Sequence, residues 1–182
     1  MIQHIPASQY REQPWKNGGG LTREIAVALS GDPPRVLWRL SLATIERDGP
    51  FSEFRGYDRA IVAIDGDPVT LDVAGERIVL MHGHPHEFAG EAAVACRLTG
   101  GPARDLNVMT LRSNFVHDLE VIDSPQRFVL DEDEIAFVFA IDGEAAVDGV
   151  ACEPGDTLRI RTDGAIAVTT AGSAAVVRVT PI

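Results

Sequence analysis

Apolar and polar residues alternate along most of this chain with a period of two, the signature of half-buried strands. In Val36-Leu37-Trp38-Arg39-Leu40-Ser41-Leu42 the even positions are apolar, so Arg39 and Ser41 share the opposite face. Ala60 to Ile64 reads as a second strand, entered by Asp58-Arg59 and closed by the turn Asp65-Gly66-Asp67-Pro68. Val69 to Val73 follows, and Ala74-Gly75-Glu76 turns the chain into Arg77 to Met81. Ala92 to Leu98 is a further strand, ended by Gly100-Gly101-Pro102. Asp105 to Leu111 places Asp105, Asn107 and Met109 on one side and Leu106 and Val108 on the other. Short strands joined by Gly turns read as a hairpin meander.

The second half continues in the same style. Phe115 to Ile122, Arg127 to Leu130, Ile135 to Ile141, Thr157 to Arg161, Ala165 to Thr170 and Ala174 to Thr180 are strands. Ile135 to Ile141 is apolar at nearly every position and should be buried on both faces. Asp123 to Gln126 has room for a single helical turn, and no helix of ordinary length is expected. So many short strands at regular spacing predict a barrel or sandwich. The first meander ends near Arg112 to Asn114 with no low-complexity linker.

Composition narrows the function classes. The 182 residues suit one large domain or two small ones. The formal net charge of -11 argues against a nucleic-acid partner, which needs a basic footprint. Cys96 and Cys152 form neither a disulfide framework nor a CxxC motif. The opening MIQHIPASQY lacks the regions of a signal peptide, and no apolar run is long enough to span a bilayer. A soluble cytoplasmic protein with no membrane partner is the expectation.

Three segments could carry chemistry. In Pro14-Trp15-Lys16-Asn17-Gly18-Gly19-Gly20-Leu21-Thr22-Arg23-Glu24-Ile25, glycines beside cations could turn backbone N–H groups toward an anion. The alternative is a tight turn into the first strand. It is not a P-loop, because no Gly-Lys-Ser/Thr follows. The second segment runs from Asp48-Gly49-Pro50-Phe51-Ser52 into Gly56-Tyr57-Asp58-Arg59. Arg59 could offer a bidentate fork to a carboxylate, or pair at the surface with Asp58 or Glu53. In the third, Met81 to Glu91, His84, His86 and Glu91 follow the HxH-x4-E spacing of metal-binding cupins. Gly83 and Pro85 argue instead for an exposed loop with incidental histidines. His4 and His117 stand alone, and Asp131 to Glu134 reads as a solvated acidic turn.

Taken together, these pieces resemble the HutD/Ves family. The resemblance rests on PWKNGGGLTREIAV at 14–27, WRLSLATIERDGPFSEFRGYDRAIVAIDG at 38–66, FAGE at 88–91 and GGPARDLNVMTLR at 100–112. Over the last 70 residues only a generic cupin pattern remains, clearest in EPGDTLRI at 153–160. The resemblance implies an all-β, RmlC-like bicupin with one cupin-like barrel at 1–112 and another at 113–182. It also implies a role in bacterial histidine utilisation without an established catalytic step, and binding of an intermediate such as N-formylglutamate. The family is not regarded as a group of metalloenzymes.

The expected site then comprises Lys16, Asn17, Thr22, Arg39, Ser41, Arg59 and Asn107. Arg59 and Arg39 would hold carboxylates, Asn107 would pair with the formamide, and Lys16, Asn17 and Thr22 would close the mouth. Trp15, Phe51 and Met109 are expected in the core. The leading reading is a non-enzymatic binding and regulatory protein that needs no cofactor, with a homodimer as its candidate assembly. One competing reading is a metal-dependent cupin enzyme using His84, His86 and Glu91. Another is a protein-interaction module.

Overall fold

In the computed structural model, described at residues 1–15 and 18–182, strands carry nearly all of the regular structure. They are β1 (Ile2–Ile5), β2 (Arg11–Pro14), β3 (Gly20–Ser30), β4 (Arg35–Ile45), β5 (Gly49–Pro50), β6 (Tyr57–Gly66), β7 (Val69–Val73), β8 (Glu76–Leu80), β9 (His86–Ala89), β10 (Val94–Leu98) and β11 (Ala103–Leu111). After these come β12 (Phe115–Ile122), β13 (Gln126–Leu130), β14 (Ile135–Asp142), β15 (Ala145–Val147), β16 (Val150–Cys152), β17 (Thr157–Ile160), β18 (Gly164–Thr170) and β19 (Ser173–Pro181). The one helical element among the described residues is a 3-10 turn, Ala7–Gln9. No helix there is long and apolar enough to cross a membrane. Asp123 and Ser124 form a bend and Gln126 already opens β13, in place of the single helical turn for which the segment had room.

The chain divides into two compact units. One spans Arg11–Asn114 and holds two sheets, ordered β2-β3-β4-β11-β6-β9 and β5-β10-β7-β8. Its core lies between them: Ile45, Ile61, Ala63 and Phe88 come from the larger sheet, and Val69, Leu71, Leu80, Val94 and Cys96 from the smaller. Burying both inner faces is what stabilises a two-sheet cupin-like unit.

The other unit combines Phe115–Ile182 with Met1–Tyr10. Its sheets run β1-β17-β14-β19-β12 and β13-β18-β15-β16. Leu130, Val138, Val147, Leu158, Ile166 and Val176 are among the side chains filling its core. Ile135 to Ala140 is buried on both faces, as its unbroken apolar run requires.

The expected division at 1–112 and 113–182 therefore differs at the N-terminus, because the first ten residues belong with the later segment. The reason is pairing: β1 adds to the edge of β17, with Ile2 opposite Ile160 and Ile5 opposite Thr157. Side chains pin it there. His4 Nε2 lies 2.7 Å from Asp156 Oδ2, and Asp156 Oδ1 accepts the Ala7 N–H at 2.7 Å. The Tyr10 hydroxyl donates to the Gly155 carbonyl at 2.9 Å and sits 2.7 Å from Thr157 Oγ1.

Candidate functional site

Strand β11 is the axis of a cavity in the 11–114 unit. It pairs with β4 on one side and β6 on the other. Asn107 stands opposite Ser41 and Ile61, Met109 opposite Arg39 and Arg59, and Asp105 opposite Ala43 and Ala63. Alternation then puts Arg39, Ser41, Ala43, Arg59, Asp105 and Asn107 on one sheet face. Leu40, Leu42, Ala60, Val62, Leu106 and Val108 occupy the other face and are all buried.

The polar residues of that face line a cavity of about 440 Å³. Gln13, Pro14, Trp15 and Thr22 contribute from β2, β3 and the segment between them, and Pro50, Phe51, Ser52 and Phe54 from β5 and the loop after it. Two glycines set its walls by close approach. A Cβ on Gly20 would lie 2.2 Å from the Thr44 carbonyl oxygen, so only glycine lets β3 begin there against β4. A Cβ on Gly90 would meet the Phe54 carbonyl oxygen at 2.3 Å. The Gly90 carbonyl accepts the Phe54 N–H at 2.7 Å, which fixes the loop that carries Phe54.

Arg59 is the central charge. It is only 8% exposed. One terminal nitrogen donates to Asn107 Oδ1 at 2.9 Å and the other to the Ser52 carbonyl at 3.4 Å. Its guanidinium carbon lies 4.9, 5.3 and 5.8 Å from the ring centres of Phe88, Phe54 and Phe51. Its Nε is buried and has no hydrogen-bond partner among the described residues. Burial lowers its pKa to about 10, with Asp105 opposing that shift and Arg39 adding to it, so Arg59 stays a cation at neutral pH. Arg39 packs over Phe54 at 5.5 Å. Burial lowers its pKa also, against the opposing influence of Glu24 and Tyr57.

Among the described residues lining the cavity, Asp105 is the one carboxylate. It is 1% exposed. Asn107 Nδ2 donates to its Oδ1 at 2.6 Å, while Oδ2 has no partner among the described residues. Burial raises its pKa to about 7, with the Asn107 hydrogen bond and the Arg59 charge acting in opposition. Arg59, Asn107 and Asp105 thus form a one-directional relay, cation to amide to carboxyl.

Five expected site residues, Thr22, Arg39, Ser41, Arg59 and Asn107, converge here. Lys16 and Asn17 lie outside the described residues. Thr22 accepts the Trp15 indole N–H at 2.8 Å, so it orients that ring. Trp15 and Phe51, expected in the core, line the cavity as well as packing against the core, in edge-to-face contact at 6.2 Å. Met109 is buried with Tyr57 and Leu111. The surface pairing offered for Arg59 is not what forms. Asp58 instead accepts from Arg112 at 2.8 Å. Sequence reasoning missed Asp105, Ser52 and Phe54 as site residues. Asp105 had a usable signal, its place on the Asn107 side of β11, whereas Ser52 and Phe54 sit in a loop where alternation carries no information.

The histidine segment does not gather as a metal site. His86 begins β9 and stacks on Phe88 with ring centres 6.3 Å apart. His84 Nδ1 lies 2.9 Å from the His82 carbonyl oxygen. Glu91 accepts two hydrogen bonds from Arg112, each 3.0 Å, and that guanidinium pulls its carboxyl down to about 2. No group of three or more His, Cys, Asp or Glu side chains suited to holding an ion occurs among the described residues. Cys96 and Cys152 are free and buried.

The HutD family model matches residues 7–177. The chain belongs to the HutD family. With that membership comes the link to bacterial histidine utilisation. The structure of HutD from Pseudomonas fluorescens SBW25, in its formate condition, aligns over the whole of both chains with a TM-score of 0.92 and 34% identity. An uncharacterized 21.2 kDa protein from the hutC 3′ region of Pseudomonas putida is 38% identical over 127 residues, covering 69% of this chain and 67% of its own. Protein Ves of Citrobacter koseri is 37% identical over 114 residues, covering 60% of this chain and 58% of its own length. The HutD fold is shared, at low identity, with structures of the cupin class.

Proposed function

We propose that this HutD-family chain is a non-enzymatic binding protein that takes up a small carboxylate of histidine catabolism and thereby regulates the pathway in the cytoplasm. The observation that carries the reading is Arg59. Among the described residues this buried guanidinium pairs with no carboxylate and keeps one N–H unpartnered, and it lines a cavity that Arg39 also lines. Desolvating a cation is costly, and a bound anion offsets that cost through charge-assisted hydrogen bonds. Two cations in one cavity suit a dicarboxylate such as N-formylglutamate or a related acid. The aromatic walls of Trp15, Phe51 and Phe54 exclude water and strengthen the attraction.

The test is a calorimetric titration of N-formylglutamate into chelator-treated protein, with glutamate and urocanate as comparison ligands. Saturable, metal-independent binding is expected. Arg59→Ala and Arg39→Ala should each weaken it at least about tenfold while retaining the circular dichroism spectrum. Tighter binding of a comparison ligand would change the ligand's identity and keep the carboxylate reading. Absence of binding by all three would overturn it. The metal-enzyme alternative draws no support from the geometry of His84, His86 and Glu91.

A further inference from the structure

The relay from Arg59 through Asn107 to Asp105 bears on what a bound carboxylate must carry besides its charge. Asn107 is engaged in both directions: Oδ1 accepts from Arg59 at 2.9 Å and Nδ2 donates to Asp105 at 2.6 Å. Its orientation is thereby set, and the role of pairing with a ligand amide passes to the end of the relay. There Asp105 offers Oδ2, buried in the cavity wall and without a partner among the described residues. Its cross-strand neighbours on β4 and β6 are Ala43 and Ala63, whose side chains have no polar atom to satisfy it. Buried carboxylate oxygens are ordinarily hydrogen-bonded, and an exception calls for an explanation.

We propose that Asp105 is the specificity-determining residue of this cavity, its Oδ2 accepting a hydrogen bond from an N–H or O–H group of the bound carboxylate. The inference rests on the carboxylate reading and sharpens it. The ligand class becomes a carboxylate that also carries a hydrogen-bond donor, such as an N-acyl amino acid, and plain dicarboxylates are disfavoured. The site then has two poles, Arg59 and Arg39 for the anion and Asp105 for the donor. A ligand without the donor leaves Asp105 buried and half-satisfied, a penalty that fixed polar sites impose on analogues lacking the matching group.

The decisive probes are N-formylglutamate, its ester isostere in which oxygen replaces the amide N–H, and glutarate, which has two carboxylates and no donor. Calorimetry on the wild-type chain above about pH 8, where the Asp105 carboxyl is ionised and Oδ2 can only accept, should show the ester and glutarate binding at least about tenfold more weakly than the amide. Asp105→Asn keeps the shape and an oxygen for Asn107 but replaces the free acceptor with a donor, and it should erase the preference for amide over ester. Equal affinity of the wild type for amide and ester overturns the role of Asp105 and leaves the carboxylate reading standing. No binding by any of the three overturns both. The wild-type comparison needs no variant, so a poorly folding Asp105→Asn would not remove the test.

Discussion

At the scale of single residues, Asp105 couples the cavity to pH. Burial raises its pKa to about 7, while an unfolded chain would hold an aspartate near the ordinary value of roughly 4. Between those values the folded chain keeps a proton that the unfolded chain has lost. Stability therefore falls as pH rises from about 4 to about 7, and levels off above. Urea unfolding should show the wild type losing about 2–4 kcal/mol across this window relative to Asp105→Asn, which has no titrating group there. A difference between the two proteins that is independent of pH would contradict this account. The facing of Arg39, Ser41, Asp105 and Asn107 was legible in the sequence, because on β4 and β11 the side chains obey a period of two. The depth of Arg59 was not legible. Nothing local distinguishes it from a surface arginine, and its burial depends on Phe51, Phe54 and Phe88 arriving from elsewhere in the fold.

At the scale of elements, the pairing of β11 with β6 shifts register between Arg104 and Asp105. Arg104 pairs with Asp65 and Asp105 with Ala63, so Ile64 is an extra residue on β6. Such a bulge bends the strand that bears it and re-aims side chains next to a site. Gly90, just after β9, has a similar positioning task through its contact with Phe54, and Gly90→Ala should cost about 1–3 kcal/mol in urea unfolding while displacing Phe54 and weakening carboxylate binding. In the other unit, Phe137 of β14 is fully buried, and Phe137→Ala should cost about 3–5 kcal/mol by the same measurement, with β14 losing its packing. Long strands with a buried face, such as β4, β11 and β14, were legible because burial imposes their pattern. β15 and β16, of three residues each, are too short to establish a period. β3 has mostly half-buried positions on both faces, so its eleven residues give no clear alternation.

At the scale of the whole molecule, both units are built alike, each a pair of antiparallel sheets enclosing its own core, but one of them is discontinuous in sequence. The Met1–Tyr10 segment supplies an edge strand, the buried Ile5 and the Tyr10 hydroxyl contacts to Gly155 and Thr157. Its removal should lower the thermal midpoint and open the β17 edge to hydrogen exchange, and unchanged exchange at β17 would show that β1 is dispensable. The sequence alone did not disclose this crossing, because a four-residue strand acquires its meaning only from a partner far along the chain. That distance has a consequence during synthesis. His4 precedes Asp156 by 152 residues. At about 5–20 residues per second, the ribosome takes roughly 8–30 s to produce the partner. Throughout that interval β1 is an unclaimed strand, while the 11–114 segment can complete all of its own pairings. A strand made early is thus among the last to be placed.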